Sequence, residues 1–111
     1  MPAIPVDADL VIILDTSLLS RTALPADSFN NFEVITIDHH EILPLAIDGY
    51  RDEQAASTTQ ILTQIAQKNN WSIDSHTATA LLMGVYTDTG GFIHRNTSAD
   101  VLHTAAYLIQ K

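Results

Sequence analysis

Residues 36–42 read Thr-Ile-Asp-His-His-Glu-Ile. Asp38, His39 and His40 put one carboxylate and two imidazoles on consecutive positions, directly after the apolar alternation Val34-Ile35-Thr36-Ile37. Two further acidic side chains stand at similar boundaries. Asp15 follows Leu10-Val11-Ile12-Ile13-Leu14, and Asp88 lies in Tyr86-Thr87-Asp88-Thr89-Gly90-Gly91-Phe92. Oxygen and imidazole donors without sulfur suit manganese, magnesium or zinc. Aspartates converging with a histidine fit a pair of ions about 3.5–4 Å apart, which can activate water and stabilise the oxygens of an in-line phosphoryl displacement. The second histidine of such a pair, His40, is then free to hold a phosphate oxygen or protonate a leaving group, and an ordinary imidazole pKa of about 6.5 permits either near neutrality.

Each of these residues also has a plainer reading. Asp15-Thr16-Ser17 is good helix-capping chemistry. Asp38-His39-His40 could be a polar loop, and Asp88 a turn aspartate before Gly90-Gly91. Ser57 and Thr58 read as a cap more readily than as an anion site. His94 and Arg95 read as a solvated loop or as phosphate contacts. Gly90 and Gly91 are a turn or a close approach to phosphate. His76 and His103 read as helix-surface residues, and Trp71 and Phe92 as packing residues.

The elements that must position these groups can be read from periodicity. Leu10–Leu14 is a continuous apolar run, the pattern of a strand buried on both faces of a parallel sheet. A helical turn over 17–21 and a polar loop with Pro25, Asp27, Ser28 and Asn30-Asn31 lead to a second strand, Glu33 to Ile37, ending at Asp38. Leu45 to Asp48 reads as a short third strand closed by Gly49. Three helices follow. The first opens near Ser57, with Gln60 at capping-box spacing, and stops near Asn69-Asn70. The second opens near Asp74 and runs to the glycine pair. The third opens near Thr97 or Ser98 with a broad apolar face. Strands followed by helices indicate an α/β fold, a mostly parallel sheet flanked by helices. In such sheets the carboxyl ends of the strands share one edge, where ligands bind. Asp15 and Asp38-His39 should therefore meet, and Asp88 joins them if its helix packs with its C-terminus toward that edge.

Composition narrows the classes. A chain of 111 residues, 46% apolar and 16% charged, is one small globular domain. No run of about 18 apolar residues suggests a membrane helix. Met1 to Asp7 has no basic region ahead of an apolar one, so it does not read as a signal peptide. The absence of cysteine excludes disulfides and thiolate metal sites, in keeping with a cytoplasmic location. A net charge of −8 disfavours long duplex nucleic acid, although carboxylates around divalent cations are locally neutralised.

Four segments occur in order: Ile12-Ile13-Leu14-Asp15-Thr16-Ser17, Ile37-Asp38-His39-His40, Ala55-Ala56-Ser57-Thr58-Thr59-Gln60-Ile61-Leu62, and Gly84 to Phe92 with Asn96-Thr97-Ser98. Together they resemble the DHH phosphoesterase superfamily over about residues 9 to 110, closest to its nanoRNase/oligoribonuclease and pAp-phosphatase-like branch. The resemblance implies a metal-dependent hydrolase of phosphoester bonds in short oligonucleotides or small nucleotides such as pAp. It implies Asp15, His39 and Asp88 as ligands of manganese, or magnesium in its place, with two ions in the complete domain. His40 would lie at the scissile phosphate, Asp38 would orient a histidine or the backbone, and Gly90, Gly91 and Arg95 would serve the substrate. The family's first motif, a histidine and an Asp-x-Asp pair, is expected ahead of the strand that ends in Asp15. Only eight residues precede Asp9, and Asp7-Ala8-Asp9 reads as a solvated loop. Leu43 stands where many relatives carry asparagine. The family's C-terminal substrate-binding domain has no counterpart. Residues 1–111 thus read as a partial DHH domain, with the missing ligands and part of the sheet supplied by the remainder of the polypeptide or by a second copy. The alternatives are a degenerate nucleotide- or protein-binding module, and a pyrophosphatase-like hydrolase.

Overall fold

The computed structural model describes residues 3–41 and 47–111. Three parallel strands, β1 (Leu10–Leu14), β2 (Glu33–Asp38) and β3 (Gly49–Arg51), form a sheet in the order β1-β2-β3. Three helices follow: α1 (Thr58–Lys68), α2 (Ser75–Asp88) and α3 (Ala99–Ile109). Single 3-10 turns, Leu19–Arg21 and Ala26–Phe29, shape the connection from β1 to β2.

The β-branched runs in β1 and β2 pair from Leu10↔Glu33 to Leu14↔Ile37. The first turn falls inside the stretch expected to be helical, whereas the second occupies a segment expected to be loop. The third strand is shifted. It begins at Gly49, the residue expected to close it, while Ile47 and Asp48 precede it and Leu45, Ala46 and Leu43 lie outside the described residues. Gly49 is what the pairing requires. A Cβ there would sit 2.0 Å from the carbonyl oxygen of Thr36, its partner on β2. Thr36 is itself fully buried and ties the sheet to the loop after β1, since its Oγ1 donates to the Thr16 carbonyl at 2.6 Å.

β1 is not covered on both faces. Ile13 is buried, but Ile12 is 50% exposed, and among the described residues β1 pairs only with β2. Its open side continues into an apolar cleft of about 470 Å³ along Leu14, Ile37, Leu62 and Ile65. Trp71, expected to pack, lines this cleft and is largely exposed.

The helices start as their capping residues direct. Ser57 Oγ accepts the Gln60 N–H at 3.1 Å, and Gln60 Oε1 accepts the Ala56 N–H at 2.7 Å, a reciprocal cap whose return bond lands one residue before the cap. Asp74 accepts from Thr77 N–H and Ser98 from Val101 N–H. The core joins Ala56 to Ala78 and Val85 of α2 and Val101, Ala105 and Leu108 of α3. Each buried valine or leucine contributes about 1.5–3 kcal/mol relative to exposure. α1 and α2 approach closely at Gly84, where a Cβ would meet Thr59 Cγ2 at 2.5 Å. Among the described residues no helix is long and apolar enough to cross a membrane.

Replacing Gly49 with alanine should cost about 1–3 kcal/mol, because either β3 or Thr36 must move. Urea unfolding reads this directly; an unchanged midpoint would show that the approach of β3 to Thr36 is not a constraint.

Candidate metal centre

The parallel register brings the ends of β1 and β2 to one edge. Asp15 is the first residue beyond β1, and its N–H continues the ladder to the Ile37 carbonyl at 3.0 Å. Its φ is 67°, in the left-handed region where a non-glycine residue is held at a cost. The Thr58 hydroxyl, at the first position of α1, donates to Asp15 Oδ1 at 2.8 Å. Aspartate is among the residues that tolerate this conformation, and the bond from Thr58 fixes the direction of its carboxylate.

Asp38 ends β2 and is 1% exposed. Its Oδ1 accepts the N–H groups of His39 and His40, and His40 Nδ1–H at 2.6 Å. Burial pushes this carboxyl up. The hydrogen bonds from the His40 side chain and backbone, the charge on His40 and the His39 N–H together outweigh it, and the net shift is downward. Oδ2 is buried without a partner among the described residues.

His39 is oriented from the opposite side. Its Nδ1 lies 3.3 Å from the Ala55 carbonyl. A carbonyl only accepts, so Nδ1 carries a proton and Nε2 is free to present a lone pair. That Nε2 faces Asp15 Oδ1 at 3.5 Å and Asp88 Oδ2 at 3.6 Å. Asp88 is the last residue of α2, so the helix does pack with its C-terminus toward the strand ends. Its carbonyl accepts from Asn96 Nδ2 at 3.1 Å, and the same Asn96 amide donates to the Ala56 carbonyl at 3.2 Å. Asn96 thereby ties the end of α2 to the start of α1.

These residues fit a hard divalent cation. Separations of 3.5 and 3.6 Å exceed an ordinary N–H···O bond. Two ligand atoms each about 2.1 Å from one ion lie about 3.0–3.5 Å apart. An imidazole lone pair turned toward two carboxylates is repulsive unless positive charge lies between them. The hydrogen bond from Nδ1 to a carbonyl is the usual outer support of a metal-binding histidine. A second grouping, Asp15, His39 and His40, has ligand atoms within 4.8 Å of one another. It shares two members with the first. Asp88 faces His39 Nε2 directly, whereas His40, held at Nδ1 by Asp38 much as His39 is held by the Ala55 carbonyl, has its side chain 46% exposed at the rim.

Gly90 and Gly91 both have positive φ, as the turn after α2 requires. The His94 ring occupies the space over Gly90 that a Cβ would fill, and the N–H groups of Gly90 and Gly91 are bonded to the carbonyls of Thr87 and Tyr86. Arg95 is exposed and makes no ion pair among the described residues. His76 and His103 are exposed on helices. Phe92 packs edge-to-face on Tyr86, with ring centroids 5.9 Å apart. Sequence reasoning passes over one positioning residue, Asn96, and reads the other, Thr58, as part of a cap or an anion site without naming Asp15 as its partner. Both lie inside the motif segments, and both are polar residues flanking a helix start.

Residues 1–85 match the DHH family, N-terminal domain. The chain belongs to the DHH family. It is 34% identical over 103 residues to the bifunctional oligoribonuclease and PAP phosphatase of Thermus thermophilus, covering 89% of this chain and 30% of that protein. It is 32% identical over 104 residues to the protein of the same description from Mycoplasma genitalium, covering 89% of this chain and 32% of that protein. The chain therefore spans about a third of the length of these two relatives. Among solved structures, an exopolyphosphatase-related protein from Bacteroides fragilis superposes with a TM-score of 0.77 at 22% identity, over 95% of this chain and 32% of that one. That likeness establishes the fold of this DHH-family chain, a parallel α/β sheet with its helices. Asp88 lies just past the segment matched to the family, so its membership of the site rests on the geometry above.

Asp15→Asn keeps an acceptor for Thr58, suits the left-handed backbone and removes one of the facing charges. Without divalent cations it should unfold at the same or a higher temperature than the parent, and manganese should raise the unfolding temperature of the parent alone; a lower midpoint for the metal-free variant would contradict this. Asp38 titrates below its ordinary value of about 4. Its contribution to stability is therefore present above that value and lost as pH falls through the lower folded-state value. Asp38→Asn should flatten the acid limb of the stability–pH curve below about pH 4; an unaltered limb would refute the assignment.

Proposed function

We propose that this chain carries the DHH part of a metal-dependent phosphoesterase acting on short oligonucleotides or small nucleotides such as pAp. One observation carries the reading: His39 Nε2 lies 3.5 Å from the carboxylate of Asp15 and 3.6 Å from that of Asp88, coordination-like separations. The family and the bifunctional oligoribonuclease and PAP phosphatase relatives support the substrate class.

Asp15, His39 and Asp88 would hold manganese, or magnesium in its place. When bound, such ions supply Lewis acidity that lowers the pKa of water and stabilises charge on phosphoryl oxygens. Every other role falls to the chain. Asp38 fixes the His40 ring through Nδ1, so that Nε2, when the ring is in its imidazolium form, can donate to a phosphate oxygen or return its proton to the departing one. Thr58 and the Ala55 carbonyl hold Asp15 and His39 in direction, so little reorganisation is needed when substrate arrives. Three protein ligands are enough for one ion completed by water. A second ion needs donors beyond these three, to be contributed by the remainder of a longer polypeptide or by a second copy of the chain.

The test is manganese binding by calorimetry, together with hydrolysis of a dinucleotide, pAp and pyrophosphate by a longer protein that carries the family's upstream motif. Changing Asp15 and Asp88 together to alanine should abolish tight manganese binding and hydrolysis. Undiminished binding in that double variant would end the metal reading, and cleavage of pyrophosphate alone would move the substrate to a smaller anion.

A further inference from the structure

The chain has five basic side chains against thirteen acidic ones. Arg51 is engaged with the Ile47 carbonyl, Lys111 lies 4.6 Å above the Tyr107 ring, and Lys68 stands in the last turn of α1. Arg95 is exposed in the loop beyond α2. Arg21 differs from these. It lines a cleft of about 210 Å³ together with Thr16, Ser17, Asp38, His40 and Glu41, beside the candidate centre.

Its root is well fixed. Arg21 ends the 3-10 turn, its N–H bonds to the Leu18 carbonyl at 3.1 Å, and the Thr22 hydroxyl bonds back to the Leu19 carbonyl at 2.7 Å. The Leu18 N–H bonds to Thr16 Oγ1, and Thr36 holds the Thr16 carbonyl from the sheet. The guanidinium, in contrast, has no ion pair and no hydrogen bond among the described residues, in a chain with many carboxylates to spare. A planar fork of donors on the same cleft as an imidazole suits a phosphate, which it can bind through two parallel bonds. Asp38 on the same cleft is committed to His40, and its charge is offset there. Glu41 is the one exposed carboxylate of the lining and would oppose an anion.

We propose that Arg21, with His40, forms a phosphate-binding subsite that holds a phosphate group of the substrate next to the metal centre. This rests on the phosphoesterase reading and adds a residue with no part in metal binding. Arg21 is exposed, so its replacement should leave the fold intact.

Inorganic phosphate titrated into the chain loaded with diamagnetic magnesium, followed by nuclear magnetic resonance of a chain labelled at arginine and histidine, is the direct probe. Saturable shifts are expected at the Arg21 Nε–H and the His40 ring. Arg21→Ala should weaken phosphate binding about 10-fold or more, Glu41→Gln should strengthen it, and Lys68→Ala should change nothing. Manganese affinity should be equal in the parent and all three variants. With active longer protein, KM for a dinucleotide bearing a 5′-phosphate and for one lacking it separates the two phosphate sources. A rise in Arg21→Ala for the first alone assigns a terminal phosphomonoester, and a rise for both assigns the internal diester. No phosphate shifts at Arg21, or equal phosphate affinity in Arg21→Ala, would overturn the subsite while leaving metal binding untouched. Failure of the parent to bind manganese would instead overturn the phosphoesterase reading.

Discussion

Two carboxylates turned toward the lone pair of one neutral imidazole repel it unless a cation lies between them, and much of this small fold holds the three groups in that arrangement. The strands alone bring together only Asp15 and His39. Asp88 arrives because α2 ends at the same edge, and α2 can lie there only because Gly84 lets it press against Thr59 of α1. The close approach of two helices thus has an electrostatic consequence some distance along α2. The left-handed backbone at Asp15 is a second sign that the site is held by its surroundings and not by local preference. Uncompensated charges and backbone strain collect where function demands them and are offset elsewhere.

The offset comes from ordinary parts. Buried alanine, valine and leucine of α2 and α3 supply the packing. The reciprocal Ser57–Gln60 cap makes the start of α1 rigid, and that start carries Thr58 to Asp15 while the preceding Ala55 carbonyl orients His39. One short segment, 55–60, therefore serves both as a helix cap and as the support of two candidate ligands. Asn96 closes the arrangement from the far side. β1 is all apolar, yet among the described residues it pairs on one side only, whereas such a strand of a parallel sheet ordinarily has neighbours on both.

Much of this is legible in the sequence because the strongest signals are local. Apolar runs ending in Asp15 and Asp38, and capping residues at Ser57, Asp74 and Ser98, locate five of the six regular elements within a residue or two. The third strand is misplaced because Leu45 to Asp48 looks more apolar than Gly49–Arg51, whereas pairing is decided by the space beside Thr36, which no propensity encodes. β1 looks central from its composition and is an edge strand among the described residues. The approach of Asp88 can only be assumed from sequence, since it depends on how α2 packs. The partner of Thr58 and the whole role of Asn96 are hidden for the same reason: each acts across a distance of forty residues or so in sequence, through contacts that exist only once the helices have docked.

The central claim is that Asp15, His39 and Asp88 grip one cation through the Nε2 of His39. Pulsed electron paramagnetic resonance of bound manganese tests it most directly. Coupling to a histidine nitrogen should be present in the parent, lost in His39→Ala and retained in His40→Ala. A manganese signal without nitrogen coupling, or one whose coupling survives His39→Ala, would contradict it.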